Sequence, residues 1–376
     1  MISSWVLLLV SVAYIGLLFG IAWYGDHRQQ SPGPAWFRPA VYSLALAVYC
    51  SSWTFYGAVG TAARTGMGFL PIYLGPILML LFGWRILERL ALISREQSIV
   101  SIADFLSSRY GRARKLAALV ALIAVIAAIP YVALQFKAVA MSIEVLTGAA
   151  QVTGPRAMLQ DPALYVALLL ALFAILFGTR QVDATEHHHG MMLAVATESL
   201  VKLLAFLAVG IFAIVNLPGS GALAERMVDA GRTLTTQPLS QGFVAQTLLA
   251  FTALICLPRQ FHVAIVECQD VADIRRARWM FGIYLVLICL MVLPITVAGQ
   301  SMLAGLPISP DTYVLALPMH AGAGNLALAV YIGGFSAATG MVIVASVALA
   351  TMVSKTRKAR RPWASACCGC AAPPSC

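Results

Sequence analysis

Long apolar runs recur along the whole chain and constrain its fold more than any other feature. The first extends from about residue 3 to 24, and similar runs follow as far as residue 353. A helix needs about 20 apolar residues to cross the hydrocarbon core of a bilayer. The chain is 60% hydrophobic and 11% charged, whereas a soluble domain carries roughly 25% charged residues. Strand-like alternation of apolar and polar residues is absent. The sequence therefore predicts an all-α, polytopic protein embedded in a lipid bilayer.

Applied along the chain, the length criterion predicts about nine membrane spans within residues 1–354. The fourth is too long for one straight crossing, and Pro130 is expected to break it. Before it, Ser101 precedes Asp104 in a capping-box pattern, which predicts a short surface helix. Residues 355–376 are basic and then rich in Cys and Pro, which predicts a disordered tail. The predicted spans are residues 3–24, 41–60, 69–90, 116–146, 162–178, 190–216, 243–265, 278–299 and 325–353.

Positive charge is concentrated in the segments that this arrangement places on one side of the membrane. The net charge is +10, from 25 Lys and Arg against 15 Asp and Glu. Most basic residues, Arg259 among them, are assigned to the inner side, as the positive-inside rule describes. We therefore predict a multi-pass protein of a bacterial-type inner (plasma) membrane. Its N-terminus is expected outside and its basic loops and tail in the cytoplasm, with no nucleic-acid partner. The exceptions are Arg64, Arg156, Arg226 and Arg232 outside, and Lys137 and Lys202 within spans.

The second predicted span has a polar centre. Its sequence is apolar enough to enter a membrane, but Ser51, Trp53, Thr54 and Tyr56 crowd its middle. A lipid-facing helix gains nothing from such side chains, whereas a helix that breaks there presents carbonyls and hydroxyls to a polar cavity. Small and hydroxyl-bearing residues also occur where two membrane helices pack tightly. This stretch alone leaves both interpretations open.

The seventh predicted span has a comparable interruption. Pro258 lies near its middle beside three hydrogen-bonding side chains, Arg259, Gln260 and His262, and proline removes a helical hydrogen bond. Interrupted helices in corresponding positions of two halves are typical of inverted-repeat transporters, whose binding sites lie near the bilayer midplane.

Four motifs, in this order along the chain, resemble the sodium/solute symporter family. They are VYCSSWTFYGAVG in the second span, SIADFLSSRYG at 101–111, FGTRQVDATEHHHG at 177–190, and LPRQFHV in the seventh span. The first and last are most similar to the symporter-like membrane domain of CbrA-type transporter-coupled sensor histidine kinases. The resemblance covers about residues 1–354. It implies a LeuT-like core of two inverted halves behind one extra N-terminal helix, with five helices of the first half and three of the second present here.

The resemblance also implies a substrate site between the two interruptions, for an amino acid or a similar small solute. Half-helix N-termini offer N–H groups and a positive dipole end to a carboxylate, and an aromatic ring supplies a stacking wall. His262 is in addition a candidate proton carrier. Ordinary hydrogen bonding between helices is the alternative. The residues concerned are Ser51, Trp53, Thr54, Tyr56, Pro258, Gln260 and His262.

An ion site is implied beside the first interruption. The family's backbone ligands fall at Ala47 and Cys50, but its two hydroxyl ligands fall at Gly340 and Met341, which have no side-chain oxygen. Tyr49 stands where sodium-coupled members carry an acidic residue. Coupling of solute transport to sodium is therefore in question. The alternatives are coupling to protons, or solute binding without strict coupling to an ion. The nearby replacements on the ninth span are Ser336, Ala337 and Thr339.

Further ionisable residues lie within the predicted spans. Lys137 and Glu144 share one helical face, and Glu198 and Lys202 form an i,i+4 pair in the favourable order. Each pair is either functional or a buried structural ion pair. Neither the histidines at 187–189 nor the cysteines of the tail have the spacing of a metal site. No catalytic constellation or cofactor motif is apparent, so we expect no enzyme activity.

Three functions are consistent with these features. The first is a secondary transporter domain that moves a small solute by ion-coupled alternating access, with sodium or protons. The second is the solute-sensing input domain of a histidine kinase, whose kinase module would be its partner in a longer protein. The third is an inactive truncated fragment.

Overall fold

The computed structural model describes residues 2–27, 36–148, 162–178, 189–217, 225, 232 and 241–358. Every regular element in these residues is helical, which confirms the all-α prediction. Residues 359–376 of the predicted tail, with its cysteine cluster, and His187 and His188 lie outside the described ranges. The helices are α1 (Ser4–His27), α2 (Phe37–Leu46), α3 (Ala58–Thr65), α4 (Pro71–Phe82), α5 (Trp84–Glu96), α6 (Ile102–Arg109), α7 (Arg114–Thr147), α8 (Pro162–Gly178), α9 (His189–Val215), α10 (Phe243–Cys256), α11 (Pro258–Phe261), α12 (Val271–Met302), α13 (Tyr313–His320) and α14 (Gly324–Lys358).

Several of these helices are long and apolar enough to cross a membrane. Five pass this test alone, namely α1, α7, α9, α12 and α14, and two bent pairs raise the number to 7. The difference from the predicted nine comes from α8, which has 17 residues, and from spans two and three, which are divided into short pieces. The third predicted span is one such case, because α4 ends at Phe82 and α5 starts anew after Gly83.

Of the predictions at Pro130 and Ser101, the first is wrong and the second is confirmed. The helix of α7 continues through Pro130 over 34 residues, so the expected break there is wrong. A proline removes one backbone hydrogen bond, and neighbouring helices and local adjustment let a membrane helix tolerate that loss. The helix start predicted at Ser101 is confirmed, because Ser101 Oγ accepts a hydrogen bond from Asp104 N at 3.2 Å and α6 begins there.

The core of the molecule is organised around α9. This helix packs against α1, α2, α12 and α14, so it links the N-terminal helix to the first interrupted span. The helices α4 and α10 also pack closely together, and Gly75 permits it. A Cβ at Gly75 would lie 2.5 Å from the Cβ of Ala250 and from Phe251 N. Small residues at such contacts let membrane helices approach each other.

An ion-pair cluster joins the start of α2 to the start of α12, and so joins the two halves of the fold. Arg38 Nη2 lies 2.7 Å from Asp270 Oδ2, and Arg38 Nε lies 2.8 Å from Asp273 Oδ2. Asp270 also caps α12 by accepting a hydrogen bond from Ala272 N. That bond and the Arg38 guanidinium lower the pKa of Asp270. Because Arg38 is half exposed, the cluster orients these ends more than it stabilises the fold.

Candidate solute and cation sites

The second predicted span is interrupted at its centre. After α2, a 3₁₀ turn covers Ala47–Tyr49, and Cys50 is extended with φ −78° and ψ 93°. The chain then resumes as a π-helical turn over Trp53–Gly57 and enters α3. The residues from Ala47 to Ser52 are buried. Backbone groups freed by this break therefore need partners inside the protein.

Side chains of neighbouring helices satisfy several of these groups. Gln135 Oε1 accepts hydrogen bonds from Ser52 N at 3.1 Å and from Ser52 Oγ at 2.7 Å. Thr54 Oγ1 donates to Ser51 O at 2.6 Å, and Tyr73 OH donates to Thr54 O at 3.0 Å. Side chains from α4 and α7 thus stabilise the interrupted backbone through hydrogen bonds.

Two further carbonyls of the break face a lysine. Lys202 Nζ, on α9, donates to Ala47 O at 2.7 Å and to Cys50 O at 2.6 Å. The Lys202 side chain is 3% exposed. The two residues that the resemblance implies as backbone ion ligands therefore coordinate a cation of the protein itself.

Glu198, one turn before Lys202, contacts α14 instead of the lysine. Its Oε1 accepts a hydrogen bond from Thr339 Oγ1 at 2.5 Å, and its backbone oxygen accepts one from Ser336 Oγ at 2.8 Å. Gly340 makes this approach possible, because a Cβ there would overlap the Glu198 carboxylate. In the described structure, Glu198 and Lys202 form no direct ion pair, so the i,i+4 pair expected from the sequence is not made.

The seventh predicted span is interrupted as well. Leu257 is extended, with φ −72° and ψ 126°, and Pro258 begins the short helix α11, which leads into a π-helical turn over His262–Val266. The pieces before and after this point are bent by 51°. Proline suits the first position of a helix, where its missing N–H would have no helical partner.

The polar side chains that follow Pro258 are buried. Arg259 Nη2 donates to Tyr131 OH at 3.0 Å, and the guanidinium carbon lies 4.4 Å from the centre of the Tyr131 ring. Gln260 is fully buried, and neither its amide oxygen nor its nitrogen has a hydrogen-bond partner among the described residues. His262 Nε2 lies 3.3 Å from Glu267 Oε1.

Tyr131, on α7, connects the two interruptions. Its hydroxyl lies 2.9 Å from Ser51 Oγ in the first break and accepts the hydrogen bond from Arg259 in the second. The sequence predicts that the two breaks face each other directly, whereas the structure places this residue of a third helix between them. No motif or charge in the fourth span marked Tyr131, so pattern analysis had no signal for it.

A cavity of about 530 Å³ lies between the interruptions. This volume is within the range of about 300–1,000 Å³ typical of small-molecule sites. Trp53 and Thr54 line it, while the other predicted substrate residues, Ser51, Tyr56, Pro258, Gln260 and His262, are not part of its lining. Aromatic, apolar and polar groups are mixed along its wall. The lining consists of Tyr49, Trp53, Thr54, Thr61, Thr65, Gly68, Phe69, Pro71, Ile72, Tyr131, Gln246, Leu249, Ala250, Ala253, Leu257 and Arg259.

Arg259 is the main correction to the charge assignment. The sequence places it on the inner side with the other basic residues, but it lies in the second interruption, buried, on the cavity wall. Its position directly after Pro258, inside an apolar run, was the signal that could have identified it, because an ionisable residue within a span is a functional candidate. Of the remaining candidates, Lys137 is exposed on α7, Glu144 is half-buried, and Ala337 is buried on α14.

The structure is similar to that of a Na⁺-coupled sialic acid symporter in a substrate-bound outward-open state. The TM-score is 0.65 at 16% sequence identity, and the match covers 94% of this chain and 74% of the symporter chain. No protein-family model matches the sequence, and no curated protein is similar to it. The structural likeness confirms the all-α, LeuT-like polytopic membrane fold. The narrower resemblance to kinase-coupled sensors stays a prediction.

Proposed function

We propose that this protein is a membrane transporter domain that binds a small solute carrying a carboxylate in the cavity between its interrupted helices. Alternating exposure of this cavity to the two sides of the membrane would carry the solute across. The observation that supports this most directly is the buried guanidinium of Arg259 on the cavity wall. The fold shared with a symporter of an acidic solute is consistent with it.

The electrostatics of Arg259 favour an anionic ligand. A buried charge is costly unless it is paired and hydrogen-bonded. Among the described residues, no carboxylate pairs with Arg259, and its Nε has no hydrogen-bond partner. The Tyr131 ring and hydroxyl compensate only part of the charge. A carboxylate of the solute would supply the missing partner, because guanidinium groups bind carboxylates with paired hydrogen bonds.

The rest of the cavity suits a solute with an apolar part. Trp53 and Tyr49 provide aromatic walls, and the side from α10 is aliphatic, through Leu249 and Ala253. Tyr49 is fixed in place because its hydroxyl donates to Ile72 O at 2.8 Å. A carboxylate next to an apolar or aromatic body is the chemistry of many amino acids, which is why we keep an amino-acid-like solute as the proposal.

The cavity also indicates the side from which the solute enters. Its lining continues from Trp53 along α3 to the exposed Thr65 and, on α10, to the exposed Gln246. In the orientation that we propose, with the N-terminus outside, both residues would lie near the outer ends of their spans. We therefore propose that the described conformation is accessible from outside the cell.

The sensory alternative keeps the same binding site. The carbonyls of Ala47 and Cys50 already bind the Lys202 ammonium, which favours solute binding without sodium. Binding without a coupling ion suits a sensor, so these contacts support the sensory alternative. A sensor input domain would bind the solute without net transport and would pass the change to a kinase module. Uptake by the full-length protein in proteoliposomes separates the two proposals, since solute binding without accumulation would favour the sensor.

The test of the binding site is equilibrium binding of amino acids to the purified protein, alongside the matching amines that lack the carboxylate. We expect the acids to bind and the amines not to. Arg259→Gln is expected to cost about 2–5 kcal/mol of binding free energy, on the order of a 30-fold or greater loss of affinity. Arg89→Gln, at an exposed position of α5, is the matched control and should bind normally. Equal binding of acids and amines, or unchanged affinity of Arg259→Gln, would contradict the proposal.

A further inference from the structure

The contacts of Lys202 form a second site, separate from the solute cavity. Neither Lys202 nor the two carbonyls that it contacts belong to the cavity lining. The carbonyls of Ala47 and Cys50 converge on one point because the helix is unwound between them. The solute proposal leaves this arrangement without a function.

The surroundings of the ammonium have the chemistry of a cation site. Unwound carbonyls of interrupted membrane helices are ligands for alkali cations, and hard cations take oxygen ligands. On the same face of α9, one turn away, Glu198 contributes a buried carboxylate whose Oε2 has no hydrogen-bond partner among the described residues. Thr339 and Ser336 add hydroxyls from α14. The two carbonyl oxygens thus bind the ammonium directly, and the carboxylate and hydroxyl oxygens lie one turn of α9 away.

We propose that Lys202 is a tethered cation that takes the place of a free sodium ion at the first interruption. The ammonium lies at hydrogen-bond distance from both carbonyl oxygens, so it takes up these ligands and repels a second cation electrostatically. As an ammonium, it supplies the positive charge that holds the two sides of the break together. Resting on the proposed function, it follows that this chain binds its solute equally well with and without sodium.

Removal of the lysine should convert the position into a sodium site. In Lys202→Met, a side chain of similar length leaves the Ala47 and Cys50 carbonyls without their donor and Glu198 without a nearby positive charge. A sodium ion would then satisfy all three. In the double variant Glu198→Gln/Lys202→Met the carboxylate is neutral, so sodium should bind weakly or not at all.

The experiment measures thermal unfolding of the purified full chain in detergent, in sodium chloride and in choline chloride at equal ionic strength. Wild type is expected to melt at the same temperature in both salts. Lys202→Met should melt lower in choline and recover in sodium, with saturation, and it should bind radioactive sodium. The double variant and the matched control Lys137→Met, at an exposed lysine of α7, should show no difference between the salts.

Two results would overturn the proposal. One is saturable stabilisation of the wild type by sodium, which needs no variant and is therefore decisive even if Lys202→Met does not fold. The other is a folded Lys202→Met that does not respond to sodium. Lys202→Arg retains a cation, and a sodium response in this variant would also contradict the reasoning. Because these readouts contain no solute, they stand or fall independently of the proposed transport function.

Discussion

Replacing Gln135 with leucine is expected to destabilise the first interruption from a distance, because this side chain caps the second half of the broken helix. Gln135 is fully buried on α7 and is not part of the cavity lining. Its Oε1 accepts from the backbone N–H and from the hydroxyl of Ser52. A backbone N–H can only donate, so the atom that faces it must be the amide oxygen.

The magnitude follows from what the leucine leaves behind. A buried donor without a partner costs about 1–3 kcal/mol, and an ordinary hydrogen bond contributes about 1 kcal/mol. Loss of the acceptor leaves the buried Ser52 N–H without a hydrogen-bond partner and removes the hydrogen bond from the Ser52 hydroxyl. We therefore expect Gln135→Leu to lower the free energy of unfolding by about 2–4 kcal/mol. Ser52→Ala removes only the hydroxyl bond and should cost about 1 kcal/mol.

The assay is reversible denaturant unfolding in micelles, followed by tryptophan fluorescence. Gln246→Leu, the same substitution at an exposed position of α10, is the control and should change little. In the double variant Ser52→Ala/Gln135→Leu the hydroxyl bond is lost only once, so the total cost should be about 1 kcal/mol less than the sum of the single costs. If Gln135→Leu proves as stable as the control, or if the two single costs add fully, Gln135 does not cap the break.

Two other substitutions test separate parts of the structure. Tyr131→Phe keeps the ring over Arg259 but removes the hydroxyl that both interruptions contact. The free energies of solute binding and of unfolding should therefore each fall by about 1 kcal/mol for each hydrogen bond lost. Equilibrium binding and thermal unfolding measure these changes, and an unchanged affinity would argue against the bridge. Ser101→Ala removes the cap of α6 and should lower the free energy of unfolding by about 1 kcal/mol. Amide hydrogen exchange should become faster in residues 102–109 while α7 keeps its protection. An equal increase in both helices would refute a local cap.

Several features of the fold follow from the sequence alone because they depend on local properties. Apolar runs identified the membrane class, and Ser101 with Asp104 identified the start of α6, since a cap is formed by residues three apart. The sequence also indicated where the two interruptions lie, because the polar residues at 51–54 and Pro258 favour a break, although a tight helix–helix contact was equally compatible with the first stretch.

Other local signals misled because the surroundings decided their outcome. Pro130 and Pro258 are chemically the same residue, yet α7 continues through Pro130 while the seventh span is interrupted at Pro258. The presence of a proline in an apolar run therefore does not by itself tell whether the helix ends there.

The sequence by itself determined that this chain is a membrane protein, and it indicated where two of its helices are interrupted, because hydropathy and helix breaking are properties of single segments. Only the tertiary structure decided what meets at those interruptions. Glu198 and Lys202 share one face of α9 in any helix, but the i,i+4 spacing cannot tell whether they bind each other or the Ala47 and Cys50 carbonyls. Likewise, Arg259 becomes a cavity residue only when folding brings Tyr131 of α7 against it. Contacts between residues more than a hundred positions apart arise from packing, and packing is a property of the folded chain.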